Sequence, residues 1–126
     1  MIELLIHGKV PSKKNSKRRV KRGQGIFMIP SAAHEAWHAR ALAELRPQWD
    51  GRAAVSGECT VSIDFVPGDR RAADLSNKAE SVMDLLVDAG ILADDNWFVV
   101  AQLILRAHPV DKEKPSARVT IIPFRP

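Results

Sequence analysis

Residues 70–96 read RRAADLSNKAESVMDLLVDAGILADDN. Leu75, Ala79, Val82, Met83 and Leu86 recur at helical spacing, which predicts an amphipathic helix with one buried stripe. Asp74 stands at its N-cap position, where a carboxylate can accept a backbone amide hydrogen bond, and Gly90 suits the C′ position. From Asp74 to Asp95 there are six acids, and Lys78 is the one base among them. Asp94-Asp95 follows the far end of the helix, so carboxylates from two elements can meet at one place. A hard divalent cation such as Mg²⁺ needs such oxygens, in near-octahedral geometry at about 2.0–2.1 Å. Phosphodiester hydrolysis assisted by a metal is the chemistry this pattern suits.

Outward from that helix, Cys59, Val61, Ile63 and Phe65 alternate with Glu58, Thr60, Ser62 and Asp64, describing a strand with one buried face that Pro67-Gly68 ends. After the helix, Trp97 to Leu105 reads as a strand with Gln102, Arg106 and His108 on its polar side. Val119 and Ile121 belong to a last strand. Toward the N-terminus, Ile2, Leu4 and Ile6 form a first strand, followed by a long loop from Pro11 to Pro30 with a short strand at Ile26 to Ile29. Ser31 caps a helix in which Trp37, Ala41 and Leu45 recur, and Pro47 is expected to end it at Arg46. The expectation is an α+β protein of β-α-β-α-β-β order: a mixed sheet of about four strands with two main helices, one domain over residues 1–126.

Composition narrows the classes. With 126 residues, 45% hydrophobic and 27% charged, the chain suits a globular domain, and no apolar run approaches the roughly 20 residues of a membrane span. No signal peptide is expected at the N-terminus, and the single cysteine, Cys59, excludes an internal disulfide and a thiolate zinc site, so a cytoplasmic setting is expected. The net charge of +4 hides a segregation of signs. Lys13, Lys14, Lys17, Arg18, Arg19, Lys21 and Arg22 crowd residues 13–22, an electrostatic footprint for phosphates. Lys13, Lys14, Asn15, Lys17, Arg18 and Arg19 are the expected DNA contacts, with Arg70 and Arg71 binding phosphates beside the acidic helix.

The stretch Asp74-Leu75-Ser76-Asn77-Lys78, the later Asp94-Asp95 and the segment Pro11-Ser12-Lys13-Lys14-Asn15 together resemble the RusA-type Holliday junction resolvases, or crossover junction endodeoxyribonucleases. That family's pattern is Asp-x-Asp-Asn-x-x-Lys at a helix start, then an acidic pair. Asp74 matches its first aspartate and Asn77 its asparagine, whereas Ser76 stands at the second aspartate and Glu80 at the lysine. The resemblance implies a homodimer, of bacterial or prophage origin, that cuts four-way DNA junctions with Mg²⁺, or Mn²⁺ in its place, and with no small-molecule cofactor. Asp74 and Asp95 are then the leading metal ligands, Glu80 restores a carboxylate on the helix, and Asp94 is either a ligand or the group that orients one. Lys78 would stabilise charge on the phosphate or the leaving oxygen. Paired cuts on a two-fold junction also call for two active sites.

Plainer roles stand beside these. Asp74 is equally a helix cap, Asp94-Asp95 a solvated turn, and Glu80, Asp84 and Asp88 a solvated acidic stripe. His34 and His38, one turn apart, are expected at the surface, and Trp37 and Trp97 in the core. The alternative to a nuclease is a branched-DNA-binding protein on the same fold that has lost catalysis with its carboxylate. A small module whose basic loop meets an acidic protein partner is the third reading.

Overall fold

Apolar residues on alternate strand positions and on one stripe of each helix have to be buried together, and the chain does this by laying two helices on one face of a sheet. The computed structural model describes residues 1–13, 17–23 and 25–126, without the side chains of 17–20, 22, 27, 28 and 30. The elements are β1 (Ile2–His7), β2 (Lys17–Arg22), β3 (Gly25–Pro30), α1 (Ala32–Trp49), β4 (Cys59–Val66), α2 (Leu75–Asp88), β5 (Val100–Ala107) and β6 (Ser116–Pro123). Four of the strands form a mixed sheet in the order β1-β6-β4-β5, in which β4 and β5 are parallel and the other pairs antiparallel. A parallel pair needs a long crossover, and α2 supplies it.

Leu4, Ile6, Val61, Ile63, Phe65, Val119 and Ile121 face the helices and are buried, meeting Trp37, Ala41 and Leu45 of α1 and Val82, Leu85 and Leu86 of α2. Each fully buried Leu or Ile contributes about 1.5–3 kcal/mol, so this interlayer supplies most of the driving force. Past α2 the chain reverses at Gly90, whose φ of 72° favours glycine. The amides of Ile91 and Leu92 both donate to Leu86 O, at 3.0 and 3.2 Å, and their side chains are buried. A short bridge between Val55 and Leu92 fixes the chain just before Asp94.

Four expectations are corrected. Lys17–Arg22 and Gly25–Pro30 pair antiparallel, with Lys17 opposite Pro30 and Arg22 opposite Gly25, so residues 17–22 of the basic run are carried on a strand. The charges had hidden a segment that pairs backbone to backbone with the apolar Gly25–Pro30. Helix α1 passes Pro47 and ends at Trp49. A proline in the last turn removes few intrahelical bonds, the Asp50 amide closes onto Arg46 O at 2.9 Å, and Trp49 is buried. Trp97 is 77% exposed, and β5 begins at Val100. His34 is 6% exposed and packed in the core, its ring edge-on to Trp37.

Candidate active site

Helix α2 has a buried stripe and two flanks, and each flank borders a cleft. Along the first lie Asp74, Leu75, Asn77 and Lys78, facing Lys9, Arg40, Asp69 and Arg71 across a wide cleft of about 1350 Å³. Along the second lie Ser76, Ala79, Glu80, Met83 and Asp84, facing Asp95, Asn96, Trp97, Phe98 and the β5 residues Val100, Leu103 and Leu105, with Lys13 at the edge. The division follows from helix geometry. At about 100° per residue, the six steps from Asp74 to Glu80 leave them about 120° apart, whereas Ser76 and Glu80, one turn apart, share a flank.

The sequence-predicted residues therefore part company. Glu80 and Asp95 meet in the second, acidic cleft; Asp74, Lys78 and Arg71 border the wide one. Asp74 is the N-cap residue but makes no cap hydrogen bond with its side chain; it accepts from Asn77 Nδ2 at 3.3 Å and is otherwise exposed. Asp94 lines neither of these clefts. Its carboxylate accepts from the Asp95 amide at 2.7 Å and from Asn96 Nδ2 at 3.1 Å, while Asn96 Oδ1 accepts from the Phe98 amide at 3.0 Å. That network shapes the turn on which Asp95 sits and pushes Trp97 and Phe98 outward, with their rings edge to face. Arg70 is exposed and borders neither of them. Lys14 and Asn15 lie outside the described residues, as do the side chains of Lys17, Arg18 and Arg19 on β2.

Lys78 does not enter the acidic cleft. Its Nζ donates to Val10 O at 2.6 Å, and desolvation lowers its pKa. One turn on, Ser81 Oγ donates to Pro11 O at 2.7 Å. Because that hydroxyl proton is engaged, His34 Nε2, 3.2 Å from Ser81 Oγ, must be the donor in their contact, which fixes the neutral imidazole as the Nε2–H tautomer. Burial first, and then His38, lower the His34 pKa. The Lys13 amide adds a bond to Asn77 O at 3.4 Å. So α2 grips residues 10–13, the strap that leads into the basic hairpin, through consecutive carbonyls. Nothing in the one-dimensional pattern marked Ser81 for this role.

Lys13 continues from the strap into the acidic cleft, where its Nζ lies 2.5 Å from Asp84 Oδ2. The Asp84 carboxylate foremost, with Glu80 and Asp95 farther off, raises its pKa. In the sequence Asp84 reads as part of a solvated stripe; its i+4 spacing from Glu80 is the signal for a shared cleft.

The family model described as Endodeoxyribonuclease RusA matches residues 9–122. This chain belongs to the RusA endodeoxyribonuclease family. A relative named crossover junction endodeoxyribonuclease RusA, from Aquifex aeolicus (strain VF5), is 33% identical over 125 residues, covering 99% of this chain and 91% of the relative. The span takes in the strap, the whole of α2 and the Asp94-Asp95 turn, so both clefts lie within the RusA match. Among the described residues no helix is long and apolar enough to cross a membrane.

As a seat for a metal, the acidic cleft has the right donors: hard carboxylate oxygens from two elements, on a partly solvated surface. Their spacing is open. Among the described residues, no three His, Cys, Asp or Glu side chains are drawn close enough to hold an ion.

Proposed function

We propose that this chain is a metal-dependent, structure-selective endodeoxyribonuclease that resolves four-way DNA junctions as a homodimer, using Mg²⁺ or Mn²⁺, in the cytoplasm of a bacterium or from a prophage. The observation that carries the proposal is the meeting of Glu80 on α2 with Asp95 beyond it, in one cleft, within a chain matched to RusA from residue 9 to residue 122. Glu80 shares its flank with Ser76, the position of the family's second aspartate, so a glutamate one turn later returns a carboxylate to the same cleft.

In this reading Glu80 and Asp95 hold the ion, and Asp94 keeps Asp95 in place through the turn it organises. Asp74, at the motif's first position, borders the other cleft, and its variant tests whether it serves the same ion. When bound, the metal supplies Lewis-acid stabilisation of the phosphate and a water of lowered pKa. The protein's own part is to bring the strand to that ion. The hairpin charges and Arg71 attract phosphates, and Lys78 and Ser81 fix the strap that precedes the hairpin beside the acidic helix. Lys78, with its ammonium on Val10 O, serves this positioning in the free protein.

The test is cleavage of a labelled synthetic four-way junction with and without Mg²⁺, against linear duplex, comparing wild type with Asp95→Asn and Asp74→Asn. Paired, metal-dependent nicks that vanish in Asp95→Asn support the proposal. The second reading, a branched-DNA-binding protein without catalysis, is favoured by Ser76 and by the open spacing of the acids. Tight junction binding with no cutting in either metal would establish it instead.

A further inference from the structure

Lys13 is a basic residue of the strap whose ammonium is already engaged inside the acidic cleft. Its backbone is held at Asn77 O, and the Val10 and Pro11 carbonyls just before it are held by Lys78 and Ser81. With that backbone anchored, its side chain extends to Asp84 Oδ2, 2.5 Å away, on the flank that also carries Glu80 and opposite Asp95. Three carboxylates around one cleft repel one another, and a positive charge among them relieves that repulsion. A divalent cation answers the same electrostatic need with twice the charge, and both cannot occupy the same position.

We propose that Lys13 is the resident counter-ion of the acidic cleft, that a divalent cation displaces its ammonium from Asp84, and that the freed side chain then becomes available to a DNA phosphate. The inference rests on the metal-dependent nuclease reading and adds a residue to it. It explains how a lysine in the basic, DNA-facing segment can pair with an acid in the free protein and still serve as a phosphate contact. It also makes metal entry and DNA engagement favour each other: the ion releases a cation toward the substrate, and a phosphate that draws Lys13 away leaves the acids free for the ion. The strap itself need not move, because only the side chain beyond its anchored backbone exchanges partners.

Calorimetric titration of the full chain with Mg²⁺ alone, and separately with Mn²⁺, tests this on wild type, Lys13→Met and Lys13→Arg. Methionine keeps the length and apolar stem without the charge. Lys13→Met is expected to bind the ion roughly two- to fivefold more tightly than wild type, the scale set by losing a partly exposed ion pair, and Lys13→Arg to match wild type. Affinity in Lys13→Met equal to or weaker than wild type overturns the proposal, as does an absence of metal binding in both proteins. Should Lys13→Met not fold, wild type alone decides by NMR. The Lys13 side-chain resonances must shift and saturate together with the Asp84 carboxyl signal as Mg²⁺ is added, and Lys13 signals that stay fixed overturn it. Junction cleavage by wild type, run in parallel, separates the two ideas. Cutting without tighter binding in Lys13→Met removes the counter-ion role and leaves the nuclease, whereas exchange without cutting does the reverse.

Discussion

On one flank of α2, Lys9, Arg40, Arg71 and Lys78 outnumber Asp69 and Asp74 across a wide cleft; on the other, Glu80, Asp84 and Asp95 confront Lys13 beside exposed Trp97 and Phe98. A single helix separates a mostly basic cleft from a mostly acidic one. The lesson is that a motif contiguous in sequence need not be contiguous in space. Asp74 and Ser76 are two residues apart and open onto different clefts, because two helical steps turn a side chain by about 200°.

The largest effect should come from asking whether the two clefts form one catalytic unit. Asp95→Asn and Glu80→Gln should each lower metal-dependent junction cleavage by roughly 10²–10³-fold, the scale of removing one group that stabilises transition-state charge. Asp74→Asn sharpens the comparison. If Asp74 serves the same ion from the helix terminus, the Asp74→Asn/Asp95→Asn double variant will be no slower than the worse single one. Multiplying losses in single-turnover rates would mean that the clefts act independently.

The grip of α2 on the strap is common to both sides, and Ser81→Ala should loosen it. The Pro11 carbonyl and the buried His34 donor would both lose their partner, at a cost of about 1–3 kcal/mol. A lower urea midpoint with an unchanged slope is the expected record. A midpoint equal to wild type would mean that the strap is held well enough without Ser81.

A smaller change tests the wide cleft as a phosphate surface. Arg71→Ala should weaken junction binding and flatten the dependence of log K on log salt by about 0.9, one phosphate contact's worth. Removal of Arg71 without any change in that slope would take the DNA backbone out of this cleft.

The smallest effect is in pH. His34 has a folded pKa below its unfolded value of about 6.5, because burial disfavours its charge. Below that pH the unfolded chain binds a proton that the folded chain does not, so stability falls as pH drops from about 6.5 toward the folded pKa, and is independent of His34 above it. His34→Gln keeps a donor for Ser81 and cannot titrate, so its urea midpoint should vary less than that of wild type between pH 5 and 6.5. Parallel profiles for the two proteins would remove His34 from the acid response.

Periodicity and spacing were enough for much of this protein. The stripe Leu75, Ala79, Val82, Met83 and Leu86, the glycine at 90, the alternation from Cys59 to Phe65 and the acidic pair at 94–95 are local patterns, and local backbone preference and hydrophobic period act on them directly. They fixed an α+β chain with two helices and four sheet strands, and the motif's residue types carried the family with them. What the sequence could not hold is direction in three dimensions. Lys78 points to Val10, Lys13 returns to Asp84, and His34 closes on Ser81 across 47 positions because helix phase and the packing of α1 on α2 bring them together. Trp97, apolar and next to a strand, lies outside in a turn where the Asp94 carboxylate and Asn96 Oδ1 accept hydrogen bonds, a matter of side-chain geometry that hydrophobicity alone does not encode.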